Sequence, residues 1–414
     1  MAVNVHPSDT PRVGWKTLPL AALYDFKNGV NADRRAYGTG IPFINVLEPI
    51  SFSHICDRDI TGRVTLSDTA ISIYEVRVGD LVFNRTSEVL EEVGLAAAYL
   101  GKGCIVFGGF VIRARALGNT VDSKFAAYAL RAPKVRSQII AMGQGAVRAN
   151  IGQSNLRRVL LDIPPPAEQR AIAEALSNAD ALIDSLEQLL AKKRQIKQGA
   201  MQELLTGKRR LPGFKLAWRA STVGEQFEIA LGKMLDSERN VGLRKPYLGN
   251  RAVQWGRIDV AERQFMAISA NELERYRLRK GDLLVCEGGE VGRAAIWDEP
   301  MEECYYQKAL HRLRPLQGYN PRLMLEHLKL WSQSGALENY VTQTSIAHLP
   351  REKFLDVPLT VPSPDEQAAI AQILSDLDAE MTVLEVRLTK ARALKEAMAQ
   401  ALLTGRIRLV ETTA

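Results

Sequence analysis

Pro164-Pro-Pro-Ala-Glu-Gln-Arg-Ala-Ile-Ala173 and Pro362-Ser-Pro-Asp-Glu-Gln-Ala-Ala-Ile-Ala371 decide how this chain is built. Both stand in one 414-residue sequence, and their match runs on without a gap. Leu176-Ser177 meets Leu374-Ser375, Asp180-Ala181 meets Asp378-Ala379, and Leu186-Glu187 meets Leu384-Glu385. The alignment closes with Leu204-Leu-Thr-Gly207 against Leu402-Leu-Thr-Gly405, then Arg210-Leu211 against Arg408-Leu409. About half of the positions are identical over so long an ungapped stretch, so the chain is an internal duplication. Upstream the halves correspond more loosely. Trp15-Lys16 pairs with Trp218-Arg219, and Pro42-Phe43-Ile44 with Pro246-Tyr247-Leu248. Val78-Gly79-Asp80-Leu81-Val82 pairs with Lys280-Gly281-Asp282-Leu283-Leu284. Between Phe110 and Asn150 the second half offers no evident match.

Each repeated stretch reads as a long helix. Proline is tolerated in the first helical turn, and Pro164–Pro166 ends whatever strand precedes it. In the second copy Ser363-Pro364-Asp365-Glu366 reads as a capping box, with Ser at the N-cap and Glu three residues on. The first copy has Pro165 in place of that Ser and lacks the hydroxyl cap. Apolar residues then recur at alternating four- and three-residue steps: Ile172, Leu176, Ala179, Ile183, Leu186 and Leu190, and Ile370, Leu374, Leu377, Met381, Leu384 and Leu388. That is a coiled-coil seam. After Leu190 the first seam meets Lys193 and drifts to Ile196, Ala200 and Leu204. Thr206-Gly207 and Thr404-Gly405 supply the stops. About 40 residues at about 1.5 Å each make a helix roughly 60 Å long.

A helix with one apolar stripe needs a partner. The second module follows the end of the first helix and precedes the start of the second, so chain order predicts an antiparallel pair with pseudo-two-fold symmetry and a module at each end. The alternative is that each helix packs only on its own module. The expected fold class is α/β (α+β), a tandem duplication of a mixed module plus a long helix. Residues 1–163 form the first module, 164–211 the first helix, 212–361 the second module, 362–409 the second helix and 410–414 a tail. Leu81-Val82-Phe83 and Leu283-Leu284-Val285 read as strands after Gly-Asp turns.

Composition narrows the function. Formal net charge is +7, a weak pointer to nucleic acid. No apolar run approaches a membrane span. Met1–Arg12 is polar with no signal-peptide core, and reads as a frayed leader. Cys56, Cys104, Cys286 and Cys304 form no CxxC pair and read as reduced thiols, so a cytoplasmic location is expected. His6, His54, His311, His327 and His348 are dispersed, so no metal site is readable. Thr206-Gly207-Lys208 lacks the rest of a nucleotide-binding loop, and Glu287-Gly-Gly-Glu-Val-Gly-Arg293 does not join a strand to a helix. No GxSxG elbow occurs, and Pro164–Pro166 is not an amino-methyltransferase signature. Lys192-Lys193-Arg194 and Lys208-Arg209-Arg210 complement a helix C-terminus. Binding is favoured over catalysis, and no catalytic residue is assigned. Candidate DNA-facing side chains are Lys27, Arg34, Arg35, Arg85, Gln144, Arg148 and Gln153 in the first module. In the second they are Lys233, Arg244, Lys245, Arg251, Gln254, Arg257, Lys308 and Gln343. Arg and Lys suit guanine edges and phosphates, and Gln suits adenine.

The two helix openings, the closing Leu204–Leu211 and the Gly-Asp-Leu element of each module resemble the specificity subunit of type I restriction–modification systems. The resemblance runs from about Trp15 to Leu409. It implies two target-recognition domains, each followed by a spacer helix, which read an asymmetric bipartite duplex. It implies a non-catalytic subunit that docks two modification (adenine-N6 methyltransferase) subunits and ATP-driven restriction subunits. S-adenosylmethionine, ATP and magnesium would be held by those partners, with no cofactor on this chain. The alternative is a coiled-coil scaffold that binds no specific DNA.

Overall fold

The computed structural model describes residues 4–5, 14–145, 148–236, 240–343 and 347–409. Apart from Asn4 and Val5, the leader lies outside the described residues, as does the tail 410–414. The chain forms two units, residues 1–186 with 387–414, and residues 187–386.

In the first unit the Gly79-Asp80 turn launches Leu81–Asn84, the middle strand of a five-stranded sheet. Its neighbours, in order, are Tyr24–Asn28, Val111–Ala116, Leu81–Asn84, Ala96–Tyr99 and His54–Ile55. Leu81 and Phe83 face a core shared with the helix Ser123–Arg131, while Val82 faces a second core with Ile44, Ile105 and Phe107. A strand buried on both faces has to be apolar throughout, which is why Leu-Val-Phe stands there. A smaller sheet orders Arg63–Val64, Tyr37–Ile44, Ile105–Phe107 and Glu75–Val76, with Phe43-Ile44 parallel to Val106-Phe107. Lys16–Pro19 pairs antiparallel with Leu160–Ile163 directly before the long helix.

The second unit repeats this plan. Gly281-Asp282 launches Leu283–Cys286 in the order Phe227–Leu231, Leu310–Pro315, Leu283–Cys286 and Ala294–Ile296. Tyr247-Leu248 runs parallel to Tyr305-Tyr306, and Arg219–Thr222 pairs with Pro358–Val361. Glycine is required where strands approach closely. A Cβ on Gly29 would lie 2.0 Å from the Gly108 carbonyl oxygen, and one on Gly232 2.3 Å from that of Gln307.

The stretch after Phe110 does have a counterpart. Arg113 pairs with Val82 and Arg312 with Leu284 at matching register, so Arg113-Ala114-Arg115 corresponds to Arg312-Leu313-Arg314. The Gly-Asp element is also more than a turn. Asp80 accepts from Arg115 at 2.7 Å and from the Arg77 amide at 2.8 Å, and Asp282 accepts from Arg314 at 2.6 Å and from the Arg279 amide at 2.8 Å. The hydrogen bond to Asp80 raises the pKa of Arg115.

The long helices span Pro166–Leu204 and Pro364–Leu403. In the first unit the opening of one (Ile172, Ala173, Leu176) and the end of the other (Leu402) share a core. In the second unit Met201, Leu204 and Leu205 share a core with Ile370, Ala371 and Leu374. The pair therefore runs antiparallel. Gly207 and Gly405 end the helices in the left-handed region, at φ 70° and 68°.

Two seam details differ from the sequence reading. Past Leu190 the inward residues are Lys197, Met201 and Leu204, so Leu204 turns inward as read whereas Ile196 is 45% exposed. Lys197 is buried because Asp378 (2.6 Å) and Glu326 (2.9 Å) neutralise it. Lys193 likewise meets Glu380 at 2.5 Å, so the polar break is an ion-pair segment. The capping box is only half formed. Ser363 accepts from the Glu366 amide at 3.4 Å, but the Glu366 carboxylate goes to Arg210 (2.6 and 2.7 Å) and Trp218 (2.9 Å). Glu168 does the same in the first unit with Arg408 (2.6 and 2.7 Å) and Trp15 (3.1 Å). Each long helix is thus fastened at its opening by the arginine that follows the other helix. Gln169 and Gln367 tie those openings to their modules, accepting from the Asp122 and Asn320 amides at 2.7 and 2.9 Å.

Candidate nucleic-acid interface

Strand direction divides the connections of each module between two ends. At one end of the first module lie the Gly79-Asp80 turn and the start of the long helix. At the other lie the chain after Asn28, the connection 85–95, the turn Gly108–Phe110 and the bridged residues Gln144 and Asn150. Backbone hydrogen bonds hold this second end together: Arg85 N–H to Phe110 (2.9 Å), Ile151 N–H to Arg85 (3.0 Å), and Gln144 and Asn150 to each other (3.0 and 2.7 Å). The second module assembles the same end from 232–233, 249–251, 287–293, 307–309 and the hairpin around Gln343 and His348. Glu287 N–H bonds Ala309 (3.0 Å), Leu349 N–H bonds Glu287 (2.7 Å), and Lys308 N–H bonds Lys233 (2.9 Å). Loops set on a rigid sheet suit recognition.

The candidate residues sort by what already occupies them. Arg85 sits at the loop end, half-buried, donating from Nη1 to the Gly109 carbonyl at 3.3 Å. Gln144 is exposed at its bridge to Asn150, and exposed Arg148 meets Glu88 at 2.9 Å. Gln153 ties Phe26 O and Asn28 N–H, both at 3.1 Å, with its amide oriented by that network. Lys27 lies 5.5 Å over the Tyr74 ring. Arg34 and Arg35 are exposed on a turn leading into the smaller sheet.

In the second module Lys308, Arg251 and Gln343 are exposed at the loop end. Gln254 donates to the Arg251 carbonyl at 2.8 Å, and exposed Arg257 pairs with it across a two-strand turn. Arg244 is exposed on Leu243–Leu248, and neighbouring Lys245 meets Glu303 at 2.6 Å. Lys233 departs furthest from a surface role. It is buried, and both oxygens of Glu272 accept from it at 2.8 Å. That lysine, with Ser269, lowers the Glu272 pKa to about 2. An ammonium so engaged is not available to a phosphate.

Glu287 and His348 were not among the DNA-facing candidates read from sequence, yet both stand at this end. Gly288 bridges His348, and Burial raises the Glu287 pKa while Lys308 and His348 oppose it. The Gly-rich run 287–293 is therefore a loop of the reading end, with Glu290 taken by Trp255 (2.5 Å) and Arg293 (3.0 Å). Among the described residues no group of three or more His, Cys, Asp or Glu is placed to hold a metal. No described helix is long and apolar enough to cross a membrane.

Comparison with known proteins adds the following. The model of the type I restriction modification DNA specificity domain matches residues 84–198 and 216–391. The MjaX type I restriction enzyme specificity subunit of Methanocaldococcus jannaschii is 28% identical over 198 residues, 46% of this chain and 45% of its own length. The EcoKI specificity subunit of Escherichia coli K12 is 31% identical over 191 residues, 43% of this chain and 40% of its own length. The match thus spans less than half the length of these two relatives. The type I restriction-modification S subunit of M. genitalium has a similar fold, with a TM-score of 0.61 at 17% identity, over 96% of this chain and 98% of that one.

Proposed function

The chain belongs to the type I restriction modification DNA specificity domain family, and from that premise we propose that it is the DNA-recognition subunit of a type I restriction–modification assembly. Residues 1–163 and 212–361 each read one half of an asymmetric target. The helices, within 164–211 and 362–409, set the gap and offer two equivalent docking surfaces to modification (adenine-N6 methyltransferase) subunits. Restriction subunits join for cleavage. The chain is cytoplasmic and non-catalytic, and S-adenosylmethionine, ATP and magnesium are bound by its partners.

One observation carries this reading: the two modules share the order and register of their central strands while their loop ends carry unlike side chains. A common scaffold with divergent loops is what reading two different half-sites requires, because base edges differ in donor and acceptor pattern whereas phosphates do not. The proposed contact set is Arg85, Gln144, Arg148, Arg251, Lys308 and Gln343, with Arg34, Arg35, Arg244 and Arg257 as flanking phosphate contacts. Lys27, Gln153, Lys233, Lys245 and Gln254 serve the fold.

The test is module exchange. Residues 12–163 are replaced by the same segment of another family member, and the methylated target is mapped. One half of the target should change. Change in both halves would refute the assignment of one module to one half-site. Salt-dependent binding to a specific duplex separates this reading from a protein scaffold.

A further inference from the structure

The register that equates Asn84 with Cys286 makes the next residues equivalent as well, Arg85 and Glu287. Asn84 pairs with Val111, and Cys286 with Leu310. Both following residues have their backbones locked the same way. Each N–H is spent on the adjoining turn, to Phe110 or Ala309, and each carbonyl accepts from Ile151 or Leu349. Each side chain therefore leaves a fixed Cα at the rim of the sheet rather than a loop tip, the kind of anchorage that gives a contact residue a defined direction.

The chemistry at that point has opposite sign. The first module presents a guanidinium whose only hydrogen bond among the described residues is to the Gly109 carbonyl. The second presents a half-buried carboxylate that accepts no hydrogen bond among the described residues, whereas nearby Glu290 is taken up by Trp255 and Arg293. A residue kept to clamp phosphate would be basic in both modules, since phosphate contacts select cations. A carboxylate facing a polyanion is useful only where it accepts from an amino group on a base edge, and the cytosine N4 amino group is the major-groove donor it suits. The surroundings compensate for its charge. The turn before Ala309 carries Lys308, where the equivalent turn before Phe110 carries Gly109, and His348 adds to it.

We infer that these two equivalent positions are specificity-determining: Arg85 reads a guanine in one half-site and Glu287 a cytosine in the other. This rests on the DNA-recognition reading above.

The experiment uses the full chain, purified in the assembly its host forms, to select from a duplex library with randomised windows. The wild type should enrich a two-part consensus containing that guanine and that cytosine. Arg85→Gln should shift the guanine toward adenine, and Arg85→Lys should keep it. Glu287→Gln should relax the cytosine, and Glu287→Asp should retain it. In each case the other half-site is unchanged, and discrimination at the affected base falls roughly 5- to 150-fold. A consensus indifferent to both Gln variants, or an equal loss of affinity for all duplexes, would overturn the assignment. Should a Gln variant fail to fold, loss of the guanine or cytosine preference in its folded conservative partner, Arg85→Lys or Glu287→Asp, would also overturn it. A wild type that enriches no sequence would instead sink the DNA-recognition reading itself.

Discussion

Replacing Arg408 by methionine should destabilise the first unit by about 3 kcal/mol. The Glu168 side chain is fully buried and that of Arg408 is 10% exposed. The carboxylate accepts from Arg408 at 2.6 and 2.7 Å and from the Trp15 indole at 3.1 Å. Methionine keeps the volume of the arginine stem but removes both charged donors. Each such hydrogen bond is worth about 1.5–3 kcal/mol, so two losses amount to about 3–6. Removing one partner of a buried pair costs about 3–5 kcal/mol. Trp15 still donates to the carboxylate, which places the expected loss near the lower bound. The assay is urea unfolding near neutral pH, followed at the first unit's transition. Trp15 reports locally, its ring lying 5.8 Å from the guanidinium. The double variant Glu168→Gln/Arg408→Met removes the orphaned charge and should recover about half of the loss or more. A single variant costing less than about 1 kcal/mol, or a double variant no better than the single, would refute the claim that the paired charge fastens the helix opening.

Two further outcomes are expected. His311 and His327 are buried and neutral, their pKa values lowered from 6.5 to about 4 by burial. The unfolded chain binds protons that the folded one refuses in that window, so the second unit should lose stability as pH falls from 6.5 toward 4, by up to about 1.4 kcal/mol per pH unit for each histidine. His327→Phe, which preserves the ring contact with Trp331, should reduce that slope in melts across the window; an unchanged slope would assign the pH dependence elsewhere. Inserting one helical turn, about 5.4 Å, into each long helix should lengthen the preferred gap between half-sites by about one or two base pairs. An unchanged gap in the mapped target would show that the helices do not set it.

The loops show most clearly what was unreadable along the chain. Arg85 and Glu287 open connections of different length, 85–95 and 287–293. A linear comparison loses register beyond them, and the pairing of Asn84 with Val111 and of Cys286 with Leu310 restores it for the following strand. Lys233 looked like a free surface cation because its partner Glu272 is remote in sequence. Glu366 looked like a capping residue because Ser363 stands three positions before it, yet Arg210 and Trp218 claim its carboxylate. Trp15, Trp218, Arg210 and Arg408 were all visible as matched pairs between the halves, but a match assigns no partner.

The repeat itself was fully legible, as were the two long helices and their opposed direction. Those depend on local periodicity, on the Gly stops and on chain order, each of which is written along the sequence. Which charged residue turns inward depended on tertiary structure. Ile196 and Lys197 are neighbours, and helical propensity does not choose between them. Lys197 is buried because Asp378 and Glu326 lie where its ammonium arrives. Burial of a charge is decided by partners far away in the chain, and only folding brings those partners into reach.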